Sequence, residues 1–381
     1  MASVEKYATK TGTLWKVRYR TPRRTTTEKR GFRTKRDAEA FAASVEVSKL
    51  RGEFIEAGAA RATVGSLAGP WVQRQGHLKP SALRPVESAL RVHVLPRWGS
   101  IPVAEVRTTD VQQWVTDLSR GRPEATPPTS GRSATTVARC FGVLAAILDD
   151  AVADRRIVTN PARGVKLPKR TPKPRVYLSH EQVHAFARAS KYPTLVLVLA
   201  YTGLRWGEAS ALRVRHLDML RRRIKVEENA VDVGGVVHVG TPKTHRVRVV
   251  PFPRFLGDAL AAQCEGKGRD ELVFPGPGGG YMSPARVHEG HGSWWGAAVR
   301  AADVPRVTPH DLRHTAASFA VSAGANVKAV QRMLGHASAA MTLDVYADLF
   351  DEDLNAVADR LDAVVAERIA FDSRLIEAPG T

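Results

Sequence analysis

The stretch Thr308-Pro309-His310-Asp311-Leu312-Arg313-His314 opens a helix and loads its first turns with side chains able to do chemistry. Thr308 suits a helix cap, and Pro309 suits the first helical position, where its missing N–H would have no partner anyway. Three residues apart, His310 and Arg313 share one helix face. Upstream, Thr202-Gly203-Leu204-Arg205-Trp206-Gly207-Glu208 places an arginine just after an apolar helix, beside a glycine that permits a sharp turn. Lys243 lies in the loop before a strand. Leu334-Gly335-His336 ends a helix, and Tyr346 follows inside a short helical run. Taken singly, each residue has a plain structural reading: a surface ion pair for an arginine, a half-buried core position for a tyrosine, a helix C-cap for His336. His310 and His314 also stand at i and i+4, as in a zinc-protease helix. Asp311 replaces the expected glutamate there, Arg313 would set a cation beside the metal, and no third ligand is marked, so no metal is expected.

The order Arg…Lys…His-x-x-Arg…His…Tyr, with Gly203, Glu208 and the Leu-Gly-His run, resembles the tyrosine recombinase (phage integrase) family over about residues 175–350. The resemblance implies a catalytic set of Arg205, Lys243, His310, Arg313, His336 and Tyr346, with Tyr346 the nucleophile. It also implies a 3′-phosphotyrosyl intermediate, a free 5′-hydroxyl and no cofactor. The chemistry of those side chains agrees. Attack on a phosphodiester builds negative charge on a five-coordinate phosphorus, and two arginine forks suit its non-bridging oxygens. Tyrosine is a weak nucleophile: with a pKa near 10, only about one in a thousand is ionised at pH 7. His310 is placed to take its proton or stabilise the phenolate, His336 to bond a phosphoryl oxygen, and Lys243 to protonate the leaving 5′ oxygen. A phosphotyrosyl bond conserves the free energy of the diester, so strands rejoin without ATP.

The chain has 381 residues, 57 Lys and Arg against 38 Asp and Glu, and a formal charge of +19. That length suggests two or three domains, and the ordinary apolar content argues against disorder. Thr194 to Ala200, the longest strongly apolar stretch, is too short to span a bilayer, and with no apolar run after the first Met a secretory signal is not expected. Cys140 and Cys264 are too few for a disulfide framework. A soluble, cytoplasmic protein of a bacterial host, associated with the nucleoid when on DNA, is the expectation. The charge points to a polyanion, most simply double-stranded DNA. It is segregated: residues 1–36 hold twelve Lys and Arg against Glu5 and Glu28, whereas residues 348–381 hold nine acids against three Arg.

The expected fold class is multidomain and mainly α, in five segments. Residues 1–58 read as a small basic sheet plus helix. Trp15, Val17 and Tyr19 alternate with Lys16, Arg18 and Arg20, a second strand lies near Gly31-Phe32-Arg33, and a helix runs from Thr34 to about Gly52. The module resembles the arm-type DNA-binding domain of phage integrases, with Lys16, Arg18, Arg20, Arg23, Arg24 and Arg33 facing DNA. Residues 63–158 read as all-helical, at 64–75, 81–94, 109–119 and 133–154, the third opening on a Thr109-Asp110 cap. They look like the family's core-binding domain. Residues 159–175 form a proline-rich basic linker whose Lys166, Lys169, Arg170 and Lys173 suit a phosphate backbone. Residues 176–350 are the mixed α+β catalytic domain. Ser179 opens a capping box, strands lie at Arg223–Glu227 and Arg246–Val250, and a loop passes through Gly234-Gly235. Residues 351–381 read as an acidic helix with an apolar stripe at Leu354, Val357, Leu361, Val364 and Ile369, for docking on its own domain or on a neighbouring subunit.

The leading expectation is a site-specific recombinase that integrates and excises a phage or mobile element, as a homotetramer on attachment-site DNA. Partners in that reading include a DNA-bending host factor and an excision directionality factor. The alternatives are a chromosome- or plasmid-resolving tyrosine recombinase, a type IB topoisomerase, and a non-catalytic DNA-binding regulator on the same fold.

Overall fold

The computed structural model describes residues 2–10, 12–22, 24–122, 129–171, 174–241, 247–285, 287, 293–343, 346, 362 and 365–366. The chain divides into two compact units, Met1–Pro172 and Lys173–Thr381.

The first unit opens with an antiparallel meander, Ser3–Thr9, Gly12–Arg20 and Thr26–Phe32. The period-2 alternation of the middle strand sends Val17 against the helix Lys35–Leu50, which buries Ala38 and Val45. Thr34 caps that helix by accepting from the Asp37 N–H. Tyr19 stands edge to face with Phe41 and Phe54, each at 5.9 Å. The strand Ser3–Thr9 escapes the sequence pattern because, at the sheet edge, its half-buried positions include Glu5 and Thr9 as well as Val4 and Tyr7.

Four longer helices follow, Val64–Gln73, Pro80–Ala89, Thr108–Arg120 and Ala134–Ala153. They enclose a core in which Trp98 meets Trp114 edge to face beside Val137, Leu144, Ile147 and Leu148. The expected helix 81–94 forms and runs on to Trp98. It widens into a π turn at Leu90–Val94 before Leu95–Trp98. Pro96 explains the π turn, because it lacks the N–H that an α-helix would bond there and its ring crowds the preceding turn. The Thr109-Asp110 cap is also corrected. The helix starts at Thr108 after Arg107, which makes no side-chain cap, and Asp110 sits in the first turn, where it complements the helix dipole.

Beyond these helices the chain stays pinned for several residues. Asn160 Nδ2 donates to Ala145 O and Asp149 Oδ1, and its Oδ1 accepts from the Ala162 N–H at 2.8 Å. Gln112 bonds both backbone groups of Lys166, accepting from its N–H at 2.8 Å and donating to its carbonyl at 3.1 Å. The side chains of Lys166, Lys169 and Arg170 remain exposed.

In the second unit the helix Pro193–Thr202 is apolar on every side and buries Leu195, Val196, Val198, Leu199, Ala200 and Thr202. It is therefore the central element, packed by His180–Ala189 and Pro309–Ser322. The Ser179 capping box forms with Gln182. A three-stranded antiparallel sheet has Arg223–Val226 at its centre, between Leu217–Asp218 and Arg248–Pro251. Where the sequence suggests a loop, the chain forms a second hairpin, Asn229–Val233 with Val236–Gly240. Gly234 and Gly235, at φ 72° and 89°, make its turn. Helices Leu256–Cys264, Trp294–Ala301 and Val327–Leu334 complete the unit, and residues 339–343 and Tyr346 are helical. The expected tail helix at 351–381 lies outside the described residues, apart from Asp362, Val365 and Ala366. Among the described residues no helix is long and apolar enough to cross a membrane.

Candidate active site

The central helix ends at Gly203, whose φ of 65° lies in the left-handed region. A Cβ there would stand 2.7 Å from Leu334 Cδ2, so only glycine lets the chain turn against the neighbouring helix end. Arg205 then caps the short helix Trp206–Ser210. Glu208 returns to it, one carboxylate oxygen accepting the Arg205 backbone N–H and the other its Nη1, both at 2.8 Å.

Arg313 approaches the same turn from the helix Pro309–Ser322. That helix starts with a reciprocal Thr308–Asp311 capping box. Arg313 is only 2% exposed, and it donates from Nη1 to Gly203 O at 2.6 Å and from Nη2 to Leu334 O. Burial and the neighbouring Arg205 charge bring its pKa down to about 9, so it remains cationic at neutral pH.

Leu334 ends its helix at Gly335, again left-handed at φ 66°. The His336 N–H donates to Gln331 O at 3.1 Å, and Gln331 Nε2 donates to His336 O at 3.2 Å. Thr342 Oγ1 holds the His336 ring at Nδ1, 3.0 Å away. The Tyr346 ring lies parallel to that of His336, their centroids 6.3 Å apart. Burial, then the charges of Arg313 and Arg205, lower His336 to about 4.

Arg205, His310 and Arg313 line one cleft of about 570 Å³, with Trp206, Asn229 and Tyr281. His310 is exposed there. Five of the six expected catalytic residues, Arg205, His310, Arg313, His336 and Tyr346, thus gather at the ends of three helices and the run that follows. Lys243, the sixth, lies outside the described residues. A cluster of two arginines and two histidines beside a phenol can hold an anion and neutralise charge that develops on it.

Two neighbours escaped the sequence reading in this role. Arg248 bonds both oxygens of Glu208 and donates from Nε to Met333 O at 3.1 Å, joining the Arg205 turn to the chain before His336. Only its place on a strand was legible, since its partners are remote in sequence. His314, weighed above only as a metal ligand, puts Nδ1 2.8 Å from the Tyr346 hydroxyl. The i, i+4 spacing was the available signal, but it cannot say what approaches that face.

The expected DNA contacts separate by environment. Arg18, Arg20, Arg24, Arg33, Lys166, Lys169 and Arg170 are exposed. Lys16 instead sits between Glu5, at 3.1 Å, and Glu28, at 3.5 Å. Arg23 and Lys173 lie outside the described residues.

The family model described as "Phage integrase family" matches residues 177–353. The chain is similar to the tyrosine recombinase XerD of Mycobacterium leprae, 30% identical over 264 residues, covering 63% of this chain and 77% of that one. It is 27% identical over 291 residues to a putative prophage phiRv2 integrase of Mycobacterium tuberculosis, covering 74% of this chain and 73% of that protein. Among solved structures it resembles the Tn1549 transposon integrase, determined in complex with a circular intermediate DNA. That match has a TM-score of 0.64 at 24% identity, over 78% of this chain and 99% of the other.

Proposed function

We propose, since this chain belongs to the phage integrase family of tyrosine recombinases, that it integrates and excises a phage or related mobile element through a covalent 3′-phosphotyrosyl intermediate. It is a site-specific DNA recombinase, an enzyme that breaks and rejoins strands. The observation that carries the mechanism is the position of Tyr346, its ring parallel to His336 and its hydroxyl on a histidine of the Arg313 helix.

In this reading Arg205 and Arg313 bind the non-bridging oxygens of the scissile phosphate. Their bonds to Glu208, Gly203 O and Leu334 O hold each guanidinium in place, and the N–H groups left over reach the substrate. His310, exposed in the cleft, and His336 donate to phosphoryl oxygens. Lys243 protonates the leaving 5′ oxygen. Exchange of two duplexes requires four strand cleavages, which four copies of this chain would supply as a tetramer on DNA. A host bending factor and a directionality factor belong to the same proposal.

Residues 1–58 serve as the arm-type domain, 63–158 as the core-binding domain, 159–175 as the basic linker, 176–350 as the catalytic domain and 351–381 as an acidic docking tail. The exposed cations of the amino-terminal sheet support the first assignment over a chromosome-resolving role. Removing residues 1–58 should spare cleavage of a core site and impair full integration. Intact integration would overturn the arm assignment.

The direct test uses DNA flanking the gene, nicked near candidate crossovers to trap cleavage, in EDTA. The wild-type chain should give a covalent protein–DNA band on a denaturing gel, and Tyr346→Phe none. Binding without a band from any fragment of a genomic pool would overturn the enzymatic reading.

A further inference from the structure

We propose that His314 is a further catalytic residue, its Nδ1 taking the proton of the Tyr346 hydroxyl as that oxygen attacks phosphorus. The assignment rests on the reading of Tyr346 as nucleophile given above. Geometry carries it. The hydroxyl lies 2.8 Å from Nδ1, within the reach a general base needs, and the two rings meet at 64° with centroids 5.6 Å apart. Tyr346 is 1% exposed, and its ring packs among Ala317, Val321, Val330 and Leu334, so bulk water does not compete for its proton. His310, which the sequence places to take this proton or stabilise the phenolate, is exposed in the cleft with Arg205 and Arg313. Its ring stands edge to face with His314 at 4.7 Å. The two histidines of one helix thus divide the work, His310 toward the phosphate and His314 toward the phenol.

Protonation states are consistent with this division. Burial, His310, Arg175 and Arg313 disfavour a charged His314 and outweigh Asp311, which favours it, so its pKa falls to about 4. At neutral pH the ring is uncharged and Nδ1 can accept. Burial raises Tyr346 to about 12 although Arg313 and Arg175 oppose it, with Tyr177 adding to the rise. Such a phenol is ionised in only about one molecule in 10⁵ at pH 7. Its proton must therefore leave during attack, to a base already in contact.

The step balances without any co-reactant. The Tyr346 O–H bond breaks as the Oη–P bond forms, and the proton passes to His314. The P–O5′ bond breaks, and O5′ takes a proton from the residue assigned to it, Lys243. Rejoining reverses each transfer: the 5′-hydroxyl attacks phosphorus, Lys243 regains its proton, and His314 returns its own to the departing phenolate.

The test uses the full chain and the nicked duplex that gives the wild-type adduct. His314→Phe keeps a ring that cannot accept a proton, and His314→Asn keeps a polar atom near the place of Nδ1 without the basicity. His314→Phe should cleave at least about a hundredfold more slowly. Its rate should climb with pH from 7 to 10, where the wild-type rate is level. A duplex with sulfur in place of the leaving 5′ oxygen needs no proton at that atom, so it should rescue Lys243→Ala but not His314→Phe. If His314→Phe does not fold, His314→Asn carries the test, with a slow rate that also rises with pH. A variant that binds DNA and cleaves within about threefold of wild type with a level profile, or faster than wild type, overturns the proposal. Absence of a wild-type adduct would instead overturn the reading of Tyr346 on which it rests.

Discussion

Arg248 grips Glu208 with both terminal nitrogens, Nη1 to Oε1 at 2.9 Å and Nη2 to Oε2 at 2.7 Å, while Glu208 also receives Arg205. The Glu208 side chain is 0% exposed and that of Arg248 9%, so this is a desolvated, bidentate pair. It links two parts of the site, because the Arg248 Nε bonds Met333 O, three residues before His336.

Arg248→Ala should therefore cost stability and activity together. Breaking a buried pair typically costs about 3–5 kcal/mol where the other charge is left uncompensated; Glu208 keeps its bonds to Arg205, so the loss should fall toward the lower end. Arg248→Lys restores charge without the fork and should recover part of the stability but little of the cleavage rate, since Arg205 loses its rigid partner. Chemical unfolding and adduct formation on the two variants check this. Equal recovery of both properties by lysine would argue against a geometric role.

Acid should weaken the second unit in two stages. His314 and His336 are both lowered from 6.5 to about 4, chiefly by burial. The unfolded chain therefore takes up those protons first, and the stability present above pH 6.5 is lost as pH falls toward 4. Burial disfavours a charged Glu208, but its bonds to Arg248 and the charges of Arg248 and Arg205 outweigh it and hold the carboxyl at about 2. Its contribution is present above pH 4.5 and is lost as pH falls toward 2. Unfolding measured against pH should show both stages, and His314→Asn with His336→Gln should flatten only the first.

These groups also mark what the sequence could and could not disclose. Caps at Ser179 and Thr308 were legible because a cap needs only its own side chain and the next turn. The apolar helix before Arg205 was legible from the run Thr194 to Ala200, but its central place in the unit was not. Arg248 was passed over because Glu208 lies 40 residues away and Met333 85. His310 stands in the catalytic set because it is the His of the His-x-x-Arg order, and the i, i+4 spacing cannot show that His314 meets Tyr346, 32 residues beyond it. The hairpin of Asn229–Val233 and Val236–Gly240 was hidden for a different reason. Its second strand is exposed throughout, so no alternation of buried and solvated positions betrays it.

Gly335→Ala should be worse than a backbone penalty alone. A left-handed φ costs a residue with a Cβ roughly 1–2 kcal/mol. At Gly335 the added methyl would also stand 2.9 Å from Arg248 Cδ and 3.0 Å from its Nε. Moving that side chain disturbs its hold on Glu208, so cleavage should fall with stability. Gly235→Ala is the control. Its φ is +89° but nothing lies within 4 Å of the added atom, so it should lose stability without losing cleavage.

The cations of the amino-terminal sheet should not contribute equally to DNA binding. Lys16 lies opposite Glu5 on one side and Arg30 on the other, and Arg18 lies opposite Glu28. Glu28 also bonds Arg30, so two carboxylates neutralise the middle of this face. Lys16 keeps only 16% of its side chain exposed between them, whereas Arg18 keeps 51% and reaches Glu28 only at 3.9 Å. A cation that displaces counterions from DNA adds about 0.9 to the slope of log K against log salt. Arg18→Ala and Arg20→Ala should each reduce that slope measurably on arm-type DNA. Lys16→Ala should leave the slope nearly unchanged, because the lysine would have to break two ion pairs before meeting a phosphate. An equal drop for all three would show that DNA pulls Lys16 away from Glu5 and Glu28.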